Sequence, residues 1–207
     1  MQRQPARALL IDLDGVLRRW EPPVAVEEKY GLEPGVLVRT AMTWDIYRPA
    51  VAGELSDADW MRLVAQRLPL PAGDAAAAVA EWQADRGYLD SDVLAFVRDV
   101  RAAGRPVGLA TNATDRLRDD LTALGLDDDF DAVVSSWELQ VHKPAPEFFT
   151  RAAAALGLDP HWILFIDDDD RAVRAARVAG MPAYRWSERR DFGYLRAALG
   201  IAGAPGG

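Results

Sequence analysis

The sequence has no cysteine and only two histidines, His142 and His161. Without cysteine the chain can form neither a disulfide framework nor a thiolate metal site. The two histidines stand apart from each other and from other candidate ligands, so an imidazole-rich zinc site is not expected either. A metal ion in this protein would be held by oxygen atoms.

Long apolar runs are also missing. The first run, near the N-terminus, is interrupted by Asp12, and no stretch is long enough to span a bilayer. No signal-peptide pattern is present, which favours a cytoplasmic protein with no membrane partner. The 32 acidic side chains outnumber the 24 basic ones, giving a net charge of -8. Without a concentrated basic patch such a surface repels nucleic acid, so a nucleic-acid partner is not expected.

The chain has the composition of a globular protein. Its 207 residues are 50% hydrophobic and 27% charged, enough for one substantial core with an inserted module. Five short apolar runs have the character of buried parallel strands, and helical patterns lie between the later ones. The runs are Ala8–Leu13, Arg105–Asn112, Ala132–Ser136, Trp162–Asp167 and Pro182–Trp186. This alternation predicts an α/β fold, a three-layer Rossmann-like parallel sheet covered on both faces.

Glycine marks the end of each helix between the strands, as expected just past a helix C-terminus. The predicted helices are Ser91–Ala103, Thr114–Leu124, Pro146–Leu156 and Arg171–Ala179.

The first two strands are unusually far apart. Asp12 and Thr111 are separated by 99 positions, whereas a simple strand–helix–strand step takes about 30 residues. The segment between them contains helical patterns, at Val24–Tyr30, Pro34–Met42, Ser56–Leu68 and Ala75–Arg86. We therefore expect residues 16–88 to form a small all-helical cap, and residues 1–15 with 89–207 to form the α/β core.

Polar residues stand at four predicted strand ends, which open on one edge of a parallel sheet, where ligands bind. They are Asp12 and Asp14, Thr111 and Asn112, Ser135 and Ser136, and Asp167 and Asp168. Crowded carboxylates need a cation between them, and oxygen ligands favour Mg²⁺. Magnesium and Lys143, one of only two lysines, would balance the charge of three carboxylates and leave room for a phosphate. Thr111 offers a hydroxyl, and Asn112 and Ala113 offer backbone N–H groups at the start of a helix.

These residues resemble the haloacid dehalogenase superfamily of phosphohydrolases over almost the whole chain. The first two motifs match Asp12-Leu13-Asp14-Gly15 and Gly108-Leu109-Ala110-Thr111-Asn112. The third and fourth resemble the run from His142 through Lys143-Pro144 to Phe149, and Phe165-Ile166-Asp167-Asp168. A helical cap of the C1 type belongs to the same resemblance.

The resemblance implies a Mg²⁺-dependent phosphoric monoester hydrolase with a two-step mechanism. Asp12 would attack phosphorus, and Asp14 would act as general acid and then general base. Thr111 and Lys143 would bind phosphoryl oxygens. The metal ligands would be the Asp12 carboxylate, the Asp14 backbone carbonyl and Asp168, supported by Asp167. Dehalogenases of the superfamily lack the second acid, so Asp14 points to phosphate esters.

One position departs from the family pattern. Ala172 stands where an asparagine or a third acid is often found, and Asp169 and Asp170 lie just before it. Asp169 would either reach the metal through water or cap the helix that starts near Arg171.

The cap is expected to select the ester, a small phosphorylated metabolite such as a sugar phosphate. Candidate contacts lie in predicted irregular segments, at Trp20, Trp44, Asp45, Tyr47 and Arg48. A phosphomutase of the same fold, a receiver-like switch and a phosphate-binding protein without catalysis stay open as alternatives. The protein could act as a monomer or a homodimer.

Overall fold

A computed structural model describes residues 4–187 and 191–201. Its central element is a five-stranded parallel sheet with strand order β5-β4-β1-β6-β7. The strands are β1 Ala8–Ile11, β4 Val107–Thr111, β5 Ala132–Ser135, β6 Ile163–Asp167 and β7 Ala183–Arg185. Every residue of β1, β4 and β6 is buried, as expected for strands covered on both faces. The predicted α/β sheet fold is confirmed, and each predicted strand is present with slightly tighter bounds.

Helices cover both faces of the sheet. Because side chains alternate along a strand, Leu9 and Ile11 face one layer and Ala8 and Leu10 face the other. The first layer contains α6 Ser91–Ala102, α7 Leu117–Ala123 and α11 Phe192–Leu199. The second contains α9 Pro146–Ala155 and α10 Asp170–Val178, while α8 Ser136–Leu139 directly continues β5. A 3₁₀ turn, Pro160–Trp162, leads into β6.

Five further helices lie between β1 and β4 in the chain. They are α1 Val24–Lys29, α2 Val36–Ala41, α3 Trp44–Val51, α4 Asp57–Arg67 and α5 Ala72–Ala84. Their buried apolar residues form a hydrophobic cluster separate from the two that flank the sheet. On either side of this segment, β2 Arg18–Arg19 pairs antiparallel with β3 Tyr88–Leu89. The connections into and out of the helical segment therefore run side by side.

Several elements differ from the sequence-based prediction, which did not include the short strands β2 and β3, helix α8 or the 3₁₀ turn. Helix α3 includes Pro49 and occupies a segment predicted to be irregular; burial of Ile46, Ala50 and Val51 stabilises it despite the missing N–H of the proline. Helix α7 starts at Leu117 instead of Thr114. Helix α11 was not predicted.

No helix in the described ranges is long and apolar enough to cross a bilayer.

Candidate active site

The sheet brings the predicted strand ends together. β1 lies between β4 and β6, so Asp12, Thr111 and Asp167 reach the same edge from three adjacent strands. All three are buried, Asp167 completely. Asp12 therefore lies beside residues that are about 100 and 155 positions away in the sequence.

Lys143 joins two of the carboxylates. Its Nζ lies 2.8 Å from Asp12 Oδ2 and 2.6 Å from Asp167 Oδ2, and its side chain is buried. Burial raises the pKa of Asp12, and the Lys143 ammonium opposes this shift. Burial alone would lower the pKa of Lys143, but the two carboxylates raise it. The ammonium is therefore held charged against the Asp12 carboxylate.

Asp168 completes a group of three carboxylates. One oxygen each from Asp12, Asp167 and Asp168 lies within 4.8 Å of the others. Burial, followed by the charge of Asp167, raises the pKa of Asp168. One ammonium balances only one of three negative charges, and the donors are all carboxylate oxygens, which suit a divalent cation such as Mg²⁺. The residues present thus fit the predicted ion.

Gly15 is required by the position of Asp168. It has φ +81°, and a Cβ built on it would lie 2.2 Å from Asp168 Oδ2. A larger residue would push the carboxylate away and would be strained at this φ.

The Asn112 side chain binds the segment that carries Lys143. Its Nδ2 donates to the Lys143 carbonyl at 3.0 Å, and its Oδ1 accepts from the Lys143 N–H at 2.8 Å. We predicted that the Ala113 N–H donates a hydrogen bond to phosphate, but in the structure it donates to Ser136 Oγ at 3.0 Å. Thr111, Asn112 and Ala113 nevertheless all line the cavity at this edge. In this structure Asn112 acts through its side chain to position Lys143.

The Asp14 carboxylate has different hydrogen-bond partners from the Asp12 carboxylate. Arg18 binds both of its oxygens, with Nε 2.7 Å from Oδ1 and Nη2 2.9 Å from Oδ2. The indole N–H of Trp20 donates to Oδ1 at 2.7 Å. The second acid of the first motif is therefore held by two residues of the connection into the helical segment.

Arg18 belongs to a buried ionic network that the sequence analysis missed. Its Nη1 donates to Asp120 Oδ2 at 2.9 Å, and Asp120 also accepts from Arg86 at 2.7 Å and Arg116 at 3.0 Å. Arg18 is one of many arginines, and no local sequence signal distinguishes it. Only the fold brings the connection residues Arg18 and Arg86 to one aspartate of α7.

Asp169 follows the fourth motif and was expected either to reach the metal through water or to cap a helix; in the structure it caps the helix. Asp169 Oδ1 accepts from the Arg171 N–H at 2.9 Å and caps α10. Ala172 is buried against the sheet.

A cavity of about 400 Å³ lies above the carboxylates and extends to the helical segment. Two predicted specificity residues, Trp20 and Tyr47, line it. The other three have different contacts: Trp44 packs its ring on His142, Asp45 pairs with Arg67 at 2.7 Å, and Arg48 pairs with Glu54 at 2.8 Å. They do not line this cavity, because helix α3 turns them away from it.

Further cavity residues come from helices α2, α4 and α5 and from the residue that follows α2. They are Val38, Met42, Asp57, Trp60, Met61, Trp82 and Gln83. In the sequence they follow ordinary amphipathic helix patterns, and an exposed apolar side chain gives no sign of whether it meets water or a ligand. Only the packing of the helices shows that these residues line the cavity.

The family of the chain is established by its sequence relatives. The family model described as a haloacid dehalogenase-like hydrolase matches residues 6–180. The chain is 31% identical over 189 residues to a fructose-1-phosphate phosphatase of Escherichia coli, covering 84% of this chain and 93% of that protein. The chain belongs to the haloacid dehalogenase-like hydrolases.

A second relative is a phosphoglycolate phosphatase of Escherichia coli. It is 28% identical over 193 residues, which cover 86% of this chain and 74% of the relative. Because the family model and both relatives agree, the predicted class of enzyme, a phosphoric monoester hydrolase, is confirmed.

Solved structures share the fold. A family enzyme from Bacteroides thetaiotaomicron, solved with magnesium and inorganic phosphate, has a TM-score of 0.71 at 22% identity, covering 92% of this chain and 98% of that one. The L-2-haloacid dehalogenase RSc1362 also has a TM-score of 0.71, at 18% identity, covering 96% and 100%. At these identities the likeness concerns the fold, which phosphate-binding and dehalogenating proteins share.

Proposed function

We propose that this protein is a Mg²⁺-dependent phosphatase that hydrolyses a small phosphorylated metabolite through an aspartyl-phosphate on Asp12. The main support is the pairing of the buried Asp12 carboxylate with the Lys143 ammonium at 2.8 Å, beneath the cavity. A nucleophilic carboxylate that faces a phosphate dianion needs such a cation beside it. Two phosphatases among the sequence relatives support the same reaction class.

The proposed ion would be held by the carboxylates of Asp12 and Asp168, with Asp167 in support and the Asp14 carbonyl as a further ligand. When bound, it neutralises charge that develops on the transferred phosphoryl group. Lys143 and the Thr111 hydroxyl bind phosphoryl oxygens, and the Asn112 side chain holds the Lys143 backbone in place.

The first step is attack of an Asp12 carboxylate oxygen on phosphorus. A new O–P bond forms as the bond from phosphorus to the alcohol oxygen breaks, and Asp14 gives its proton to the leaving alcohol. In the second step Asp14 takes a proton from water as that water attacks phosphorus. Inorganic phosphate leaves and the Asp12 carboxylate is restored.

Asp14 must turn from its present contacts to perform this role. Its carboxylate is bound by Arg18 and Trp20, both in the connection that leads into helices α1–α5. We propose that residues 16–88 are a cap and that its movement over the substrate releases Asp14 toward the leaving oxygen. The paired strands β2 and β3 form the connection about which such a cap would move.

The defining experiment replaces Asp12 with asparagine. We expect Asp12→Asn to reduce Mg²⁺-dependent phosphate release from an aryl phosphate to background, because the amide is not a nucleophile. Asp127→Asn, an exposed loop position, is the matched control and should retain activity. Retained activity in Asp12→Asn would refute the assignment of the nucleophile.

The alternatives differ in their products. A phosphomutase would convert a sugar phosphate to its isomer without an equal release of phosphate. A receiver-like switch would accumulate a long-lived aspartyl-phosphate, and a binding protein would release no phosphate. Stoichiometric phosphate release with Mg²⁺ supports the phosphatase over all three.

A further inference from the structure

The upper part of the cavity is lined by a group of apolar side chains. Trp60 and Met61 of α4 and Trp82 of α5 line it, as do Val38 of α2 and Met42, the residue after that helix. Asp12 and Lys143 lie at the floor, and further charged side chains, Glu21, Asp57, Asp85 and Arg116, also line the cavity. The cavity therefore offers an anion site at its floor and a hydrophobic wall where the rest of an ester would lie.

Three apolar side chains that line the cavity are exposed to solvent. Met42 is 51% exposed, Trp20 42% and Val38 39%. Exposed apolar groups clustered around one concave site mark a place that a ligand covers, whereas single ones scattered on a surface carry no such meaning. A ligand that covers these three side chains gains hydrophobic free energy.

Several polar groups that line the cavity already bind one another. Asp57 accepts from Thr114 Oγ1 at 3.0 Å and from Gln83 Nε2 at 2.8 Å. Arg116 donates to Asp120 and to the Gln83 carbonyl, at 3.0 and 2.9 Å. A polyhydroxylated ligand would have to break such bonds to bind its own hydroxyls, and each unsatisfied buried group weakens binding.

Tyr47 lies between the two ends of the cavity. Burial, opposed by the charge of Lys143, raises its pKa to about 12, so the hydroxyl keeps its proton at working pH. Within the described part of the chain this hydroxyl has no hydrogen-bond partner. The Tyr47 hydroxyl can therefore donate a hydrogen bond to the ester. The Tyr47 ring extends the apolar wall toward Trp60, with 5.8 Å between the ring centroids.

From this division of the cavity we propose that the preferred substrate is a phosphate monoester of an apolar alcohol, such as one with an aromatic ring, and not of a sugar. The proposal rests on the proposed phosphatase function and names its substrate class. The residues at the floor carry out the phosphate chemistry. The apolar wall selects the alcohol part of the ester; it is formed by Trp20, Val38, Met42, Trp60, Met61 and Trp82.

The test compares esters with the same kind of leaving oxygen. 2-Phenylethyl phosphate, ethyl phosphate and fructose 1-phosphate all release a primary alcohol, so differences in kcat/KM report on recognition. We expect 2-phenylethyl phosphate to exceed both others by at least about tenfold, the effect of burying one ring. A preference for fructose 1-phosphate, or equal values for all three, would overturn the proposal.

Near-isosteric polar substitutions test the wall itself. Val38→Thr and Met42→Gln keep the side-chain size and should each lower the preference for 2-phenylethyl over ethyl phosphate by about threefold or more. Val178→Thr is the matched control, because Val178 is 83% exposed and lies outside the cavity. An unchanged preference in both wall variants would refute this role.

A binding measurement separates selection from turnover. Calorimetry with 3-phenylpropylphosphonate, which cannot be hydrolysed, should give a negative heat-capacity change that Met42→Gln reduces. Phosphate release without any preference would overturn only the substrate class. No release from any ester would overturn the proposed function and the substrate class together.

Discussion

At the scale of single residues, the site depends on close approaches between residues that are far apart in the sequence. Gly15 follows the two acids of the first motif, and its missing Cβ leaves the space that the Asp168 carboxylate occupies. The family resemblance includes Gly15 in the first motif, and the structure adds a physical reason, a contact with a residue 153 positions away. Lys143 has a similar basis, since its ammonium lies between Asp12 and Asp167.

Gly15→Ala separates the effect of this contact from backbone strain. Both Gly15 and Gly104 have positive φ, +81° and +74°, but a Cβ on Gly104 meets nothing within 4 Å. We expect Gly104→Ala to lose about 1 kcal/mol of stability from strain alone and to keep full activity. Gly15→Ala should also displace Asp168 and abolish the increase in Tm that Mg²⁺ causes. Thermal unfolding with and without Mg²⁺ measures both effects, and an equal Mg²⁺ response in the two variants would contradict the prediction.

At the scale of elements, the segment before α9 has no regular structure that could fix Lys143. The end of β4 supplies this support instead, through the two hydrogen bonds between the Asn112 side chain and the Lys143 backbone. From the sequence we expected Asn112 to bind phosphate through its backbone N–H. A polar residue at a strand end has several possible partners, and the sequence does not show which of them its side chain meets. The partner became visible only when the two segments were placed side by side.

Asn112→Ala tests this positioning role. We expect kcat to fall by at least about tenfold, since removing two hydrogen bonds of roughly 1 kcal/mol each loosens the ammonium that faces the phosphoryl group. A phosphate-contact role would instead raise KM for all esters with little change in kcat. Steady-state kinetics on an aryl phosphate distinguishes the two, with Gln140→Ala, outside the cavity lining, as the control.

Helices and strands as elements were largely predictable. Glycine stops and apolar periodicity predicted the core helices α6, α7, α9 and α10 to within a few residues, because these signals act locally. Helix α3 escaped prediction because Pro49 is a helix breaker by local rules, and only the burial of neighbouring apolar residues overrides it.

At the scale of the whole molecule, three hydrophobic clusters divide the described residues. Two flank the sheet, and the third is formed by the helices between residues 24 and 84 alone. This separation supports our proposal of a cap with its own core on an α/β body, although Val16 and Leu17, at the start of the proposed range 16–88, pack in the cluster beside the sheet.

Two valine substitutions test the proposed division. Val64 and Val97 are both fully buried, Val64 in the third cluster and Val97 beside the sheet. Replacing either with alanine should cost about 2 kcal/mol. In hydrogen exchange, Val64→Ala should speed exchange within helices α1–α5 and leave the sheet protected, whereas Val97→Ala should affect the sheet. Equal changes throughout the chain for both variants would contradict a separate cap.

The sequence by itself determined the class of fold, the family and the residues that meet at the sheet edge. It could do so because strand and helix signals are local and because parallel strands bring their carboxyl ends to one edge. Only the tertiary structure decided that Arg18 and Trp20 hold Asp14, that Asn112 supports Lys143, and which side chains line the cavity. Those contacts join distant segments, and their geometry follows from how helices pack, which no local pattern encodes.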